Sequence, residues 1–187
     1  MKRRRVVITG LGVVAPNGIG KDAFWANLVS GHSAVDYITA FDASSFPCKV
    51  AAEVRNFDPT KFMNAGKAST MGRFSQFAVA AAKLAREDAH LQITPELSEK
   101  IKVCFGTTSN GAADIYEEGH VTFLRQGLEH LPPTAIVEYA AHAAASHIAV
   151  ELGIRGQAFT LSAGCTTGLD VVQWGAAQIL SGETQLV

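Results

Sequence analysis

The stretch Ala158-Phe159-Thr160-Leu161-Ser162-Ala163-Gly164-Cys165-Thr166-Thr167-Gly168-Leu169 constrains the chain most, because it reads as strand, sharp turn, cysteine, helix. Residues 158–161 suit a buried strand. Leu169, Val172, Ala176 and Ile179 recur at helical spacing and predict an apolar stripe, with Gly182 as the helix stop. The cysteine falls at the junction, near unpaired backbone N–H groups and the positive end of the helix dipole, both of which favour the thiolate, the nucleophilic form. The dipole contributes roughly 0.3–1 kcal/mol, so a catalytic Cys165 requires a further activator, a histidine brought close by folding. A small buried apolar cysteine at an element boundary fits the same pattern.

Composition narrows the partners. The chain has 187 residues, 48% of them hydrophobic, and a formal net charge of −1, which suits one domain with a real core and argues against nucleic acid as a principal partner. Lys2-Arg3-Arg4-Arg5 before Val6-Val7-Ile8 imitates a signal peptide, but Thr9, Gly10 and Gly12 break the apolar run. The reading is a basic leader into a first strand. Nothing approaches the roughly 20 apolar residues of a membrane helix. Cys48, Cys104 and Cys165 are too few and too dispersed for a disulfide framework or a zinc site, so a reducing cytoplasm is the expected location.

The remaining pattern alternates apolar runs with amphipathic helices. After the strand at residues 6–8, Asp22 is expected to cap a helix carrying Phe24, Trp25, Leu28 and Val29, ended by Gly31. Residues 41–62 are irregular, with an edge strand near 50–54. Phe74, Phe77, Ala78, Ala81, Leu84 and Ala85 form a wide stripe opposite Lys83, Arg86 and Glu87. Residues 101–105 read as a buried strand with Cys104 in the core. A single helix over about 136–152 uses Val137, Ala141, Ala144 and Ile148, with Gly153 as its stop. Such alternation predicts a largely parallel α/β sheet with helices on both faces.

Residues 106–135 have weak periodicity and read as a lid or an excursion with a short helix near 121–128. Its opening, Gly106-Thr107-Thr108-Ser109-Asn110-Gly111, is a small-residue loop at a strand end, where α/β sheets commonly contact ligands. Gly10-Leu11-Gly12-Val13-Val14-Ala15 matches the dinucleotide pattern, yet Pro16-Asn17-Gly18 turns where the phosphate-binding helix should continue, and no acid-ended second strand follows. His142 and His147 fall on different helix faces and give no metal spacing.

Together these segments carry a resemblance. Residues 6–18, Phe41-Asp42-Ala43-Ser44, residues 71–77, Phe105-Gly106 with its loop, Gly153-Ile154-Arg155-Gly156 and the Cys165 turn occur in the order found in β-ketoacyl-[acyl-carrier-protein] synthases of the elongating bacterial type. The resemblance implies a thiolase-like fold of two similar halves, of which residues 1–187 are the N-terminal one, with the C-terminal half absent. It implies Cys165 as the acyl acceptor, Gly164 and Ser109 at the substrate, and Ser109 at a position that gates the acyl channel. Family members take two histidines and a lysine from the second half to decarboxylate the malonyl thioester, and those motifs do not occur here.

Gly164 stands where the family usually has alanine, His142 for a common asparagine, Gln157 for a common proline and Gly72 for a frequent aspartate. Residues 63–71, often basic toward the carrier protein, retain only Lys67. The implied function is decarboxylative Claisen condensation of an acyl thioester with malonyl-carrier protein in fatty acid or polyketide elongation. No cofactor is expected, since the substrates ride on the carrier's phosphopantetheine. The expected partners are acyl carrier protein and a second subunit, in a homodimer or heterodimer, with neither nucleic acid nor membrane. Two alternatives remain: a noncatalytic partner subunit resembling a chain-length factor, and a stand-alone cysteine acyltransferase or thiol hydrolase.

Overall fold

The computed structural model describes residues 4–108, 113–131 and 135–187. Residues 6–8 form no strand. The first ladder is the short antiparallel pair β1 (Val14–Ala15) and β2 (Gly18–Ile19). Helix α1 (Lys21–Val29) starts from Gly20, whose φ of +90° suits glycine, so Asp22 is not its cap but lies in the first turn beside Lys21. Strands β3 (Val35–Tyr37) and β4 (Val50–Ala52) pair antiparallel, placing the expected edge strand and supplying a partner too short to show a period in sequence. There follow α2 (Ala65–Ala68), α3 (Arg73–Asp88), α4 (Pro95–Ser98), β5 (Val103–Gly106), α5 (Ala113–Gln126), α6 (Ala135–Tyr139), α7 (Ala143–Leu152), β6 (Ala158–Leu161) and α8 (Thr167–Ser181).

The element that positions the cysteine is the parallel pair β5 and β6, with Val103 opposite Ala158 and Gly106 opposite Leu161. Side chains alternate across a strand, so each face collects every second residue. Val103 and Phe105 meet Ala78 and Val79 of α3 and Ala144, Ala145 and Ile148 of α7 in the main core. Gly106 instead lies against Thr167 and Val171 of α8, and Phe159, opposite Cys104, packs edge to face on Trp174 at 4.5 Å. The expected α/β class with helices on both faces is thus realised around this pair.

The largely parallel sheet is not: among the described residues there are three two-stranded sheets, two of them antiparallel, plus a parallel bridge between Ile101 and Leu186. Residues 6–8 find no ladder partner there. The two glycines that follow have another task. A Cβ on Gly12 would come within 1.8 Å of the Ala81 carbonyl oxygen, and one on Gly10 within 2.2 Å of that of Ala85. The Gly-x-Gly motif lets the chain cross α3 at backbone contact, anchored by Leu11 N–H donating to Asp88, and has no phosphate-binding helix behind it.

Four helices depart from their predicted pattern. On α8, Leu169 and Val172 are 77% and 60% exposed, and the seam against the sheet runs through Thr167, Val171, Trp174 and Gln178 instead. Polar Thr167 and Gln178 obscured it. In α3, Lys83 does not oppose the core: it donates to the Phe62 carbonyl and to Glu151, and the most buried positions are Ser75, Val79 and Ala80, small enough for α7's alanines to approach. The helix expected over 136–152 breaks at 140–142 into α6 and α7, and α5 is longer than the short helix expected near 121–128. The glycine stops hold, with φ of +71° at Gly31, +68° at Gly153 and +88° at Gly182.

Candidate functional site

Between β6 and α8 the chain makes a 3-10 turn, Gly164–Thr166, with Cys165 at its centre. The turn forms because Gly164 takes a left-handed φ of +68°, which reverses the backbone between an extended strand and a helix. Side-chain hydroxyls hold it. Thr167 Oγ1 accepts from Ala163 N–H at 2.8 Å and donates to the Gly164 carbonyl at 2.7 Å, while the Thr166 hydroxyl has two acceptors in reach, Asp170 at 2.8 Å and the Ala163 carbonyl at 3.1 Å, that share its single proton. Thr167 is only 3% exposed, and its methyl sits against Gly106, the last residue of β5.

Cys165 is exposed, which excludes the reading of a small buried core cysteine. Its place in a 3-10 turn just ahead of α8 puts it near that helix's unpaired N–H groups. Among the described residues no histidine is hydrogen-bonded to its sulfur: His147 is engaged by Glu138 and His130 faces Glu129. The other two cysteines differ. Cys104 is half-buried, and desolvation pushes its thiol pKa up, while Cys48 is exposed on the segment joining β3 to β4. Ser109 lies outside the described residues. Gly164 immediately precedes the cysteine, and an added Cβ there would meet nothing within 4 Å.

The sequence did not disclose two charged clusters. Glu138, 1% exposed, accepts from Gly72 N–H and Ser75 Oγ at the start of α3 and contacts His147 Nε2. Burial pushes its pKa up, but His147, Gly72 and Ser75 outweigh that and hold it below the ordinary range. The carboxylate lies between the hydroxyl and the imidazole, so the trio lacks the Ser–His contact of a nucleophilic triad, and it ties α6 and α7 to α3. Glu151, with a 7% exposed side chain, holds both Lys67 and Lys83, so the basic residue expected to face a carrier protein is already paired. The Thr166-Thr167 pair after Cys165 was the one visible signal, since such hydroxyls bond local backbone. No group of three metal-ligating side chains occurs among the described residues, and no helix there is long and apolar enough to cross a membrane.

Comparison with known proteins places this geometry. The family model described as β-ketoacyl synthase, N-terminal domain, matches residues 3–187. The 3-oxoacyl-[acyl-carrier-protein] synthase 2 of Coxiella burnetii (strain RSA 493 / Nine Mile phase I) is 36% identical over 179 residues, 96% of this chain and 43% of that protein. Among solved structures, the ishigamide ketosynthase/chain length factor matches with a TM-score of 0.87 and 33% identity over 97% of this chain and 45% of the other. A type II polyketide synthase acyl-carrier protein in complex with its ketosynthase bound to the hexaketide matches at 0.77 and 25% identity, covering 98% and 44%. The chain spans less than half the length of these relatives, and with its thiolase-like architecture and exposed turn cysteine it belongs to the β-ketoacyl synthase family, matching that family's N-terminal domain.

Proposed function

We propose that the chain carries the acyl-accepting part of a 3-oxoacyl-[acyl-carrier-protein] synthase, which extends a fatty acid or polyketide by decarboxylative Claisen condensation. The observation that supports this best is the exposed Cys165 at the centre of a hydrogen-bonded turn between β6 and α8. In the first half-reaction the thiolate attacks an acyl-carrier thioester. The tetrahedral oxyanion collapses, the C–S bond to the carrier's phosphopantetheine breaks, and the carrier thiol leaves with a proton. In the second, malonyl-carrier loses carbon dioxide and its carbanion attacks the acyl-enzyme carbonyl. A C–C bond forms and the Cys165 thiolate is released.

Within this chain Cys165 is the nucleophile and its own N–H one oxyanion donor. Gly164 shapes the approach beside it, and Ser109 is assigned to the acyl channel. The base that activates the sulfur, the groups that handle malonate and a second oxyanion donor belong to a C-terminal half. Acyl carrier protein and a second synthase-like subunit are the proposed partners, and a reducing cytoplasm keeps the thiol available. Incubation with a radiolabelled acyl-carrier thioester tests the reading. Stable label on the wild type and none on Cys165→Ala is expected. No label on either favours the chain-length-factor alternative, and turnover to free acid favours a hydrolase.

A further inference from the structure

We infer that Thr167 is a positioning residue for the oxyanion donor, acting through the peptide unit that precedes Cys165. The inference rests on the acyl-transfer reading and deepens it. The Gly164 carbonyl and the Cys165 N–H belong to one planar trans peptide unit and point in opposite directions. Whatever holds the carbonyl therefore aims the N–H. Two donors hold it, the Thr167 backbone N–H and the Thr167 hydroxyl at 2.7 Å.

The hydroxyl is itself fixed. Its acceptor side takes Ala163 N–H at 2.8 Å, so one side chain ties the Ser162–Ala163 peptide unit to the Gly164–Cys165 unit and closes the turn across Gly164, whose φ is a left-handed +68°. The methyl is wedged against Gly106, where an added Cβ would lie 2.7 Å from Thr167 Cγ2 and 2.9 Å from Val171 Cγ1. That contact sets the Thr167 rotamer from the neighbouring strand. Donation to the Gly164 carbonyl also polarises the amide and strengthens the Cys165 N–H as a donor. Thr167 makes no contact with a reacting atom in this arrangement, and its effect passes entirely through the Cys165 amide.

Removing an oxyanion donor outright costs on the order of 10²–10³ in rate, so leaving one misaimed should cost about 10–100-fold. The test compares two reactions of Cys165 in the full chain. Acylation by the thioester S-hexanoyl-N-acetylcysteamine passes through an oxyanion, whereas alkylation by iodoacetamide displaces iodide at a saturated carbon and builds none. Thr167→Val, which keeps the shape and loses the hydroxyl, should slow acylation about 10–100-fold and leave alkylation within about 2-fold across pH 6–9. Thr167→Ser should restore acylation. Should the valine variant not fold, Thr167→Ala removes the same hydroxyl with less bulk and should show the same split. Equal loss in both reactions would make Thr167 merely structural and overturn the inference. Unchanged acylation in Thr167→Val beside an acylating wild type would overturn it alone. A wild type that alkylates but accepts no acyl group overturns the acyl-transfer reading together with it.

Discussion

Glu138 is a carboxylate in a place where an unpaired charge is intolerable, and three donors make it tolerable: Gly72 N–H, Ser75 Oγ and the His147 imidazole. Glu138→Ala would leave the buried amide and hydroxyl without an acceptor, and the expected loss of stability is about 2–5 kcal/mol by urea unfolding, against less for Glu138→Gln, which keeps one acceptor oxygen. Because the folded-state pKa of Glu138 is depressed, its contribution is present above the ordinary carboxylate pKa and disappears as pH falls through the folded value. The wild-type stability curve should therefore fall on the acid side, and that limb should flatten in Glu138→Gln. A second expectation concerns the thiols. Brief iodoacetamide treatment followed by peptide mapping should label Cys165 fastest, then Cys48, with the half-buried Cys104 slowest because burial raises its pKa. Equal labelling of all three in folded protein would remove the case for an activated Cys165.

Among the elements, α8 separates hydrophobic character from burial. Its apolar residues Leu169 and Val172 are exposed, while the side of the helix against β5 and β6 carries Thr167, Val171, Trp174 and Gln178. Stability of this chain should respond accordingly: Trp174→Ala costs about 3–5 kcal/mol through lost packing on Phe159, and Leu169→Gln stays within about 0.5 kcal/mol. Comparable losses in the two would mean that the apolar stripe faces the core after all. The N-terminal crossing of α3 gives a sharper case. Gly12→Ala would put a methyl 1.8 Å from the Ala81 carbonyl oxygen, part of the backbone of a long helix, and should cost at least about 1–3 kcal/mol, visible as a lowered thermal midpoint.

At the scale of the whole molecule, large apolar side chains stay in solvent on several elements, including Ile8 before β1, Trp25 on α1, Tyr37 on β3, Ile136 on α6 and Leu169 on α8. That much exposed apolar surface predicts that residues 1–187 bind hydrophobic dye or aggregate, and a sharply melting monomer that binds none would contradict it. Catalytically, the chain alone should release no carbon dioxide from malonyl-carrier protein above background, because the groups proposed to handle malonate belong to a C-terminal half. The sequence by itself determined the strand–turn–cysteine–helix order around Cys165, the α/β class and the glycine helix stops, since these follow from local periodicity and backbone freedom. Tertiary structure alone decided the rest: which side of α8 is buried, that Lys83 turns inward to Glu151, that Gly10 and Gly12 accommodate a helix, and that Glu138 meets residues of α3 far from it in sequence. Those outcomes depend on which backbone group or charge arrives opposite each residue, and no local pattern encodes the arrival of a distant partner.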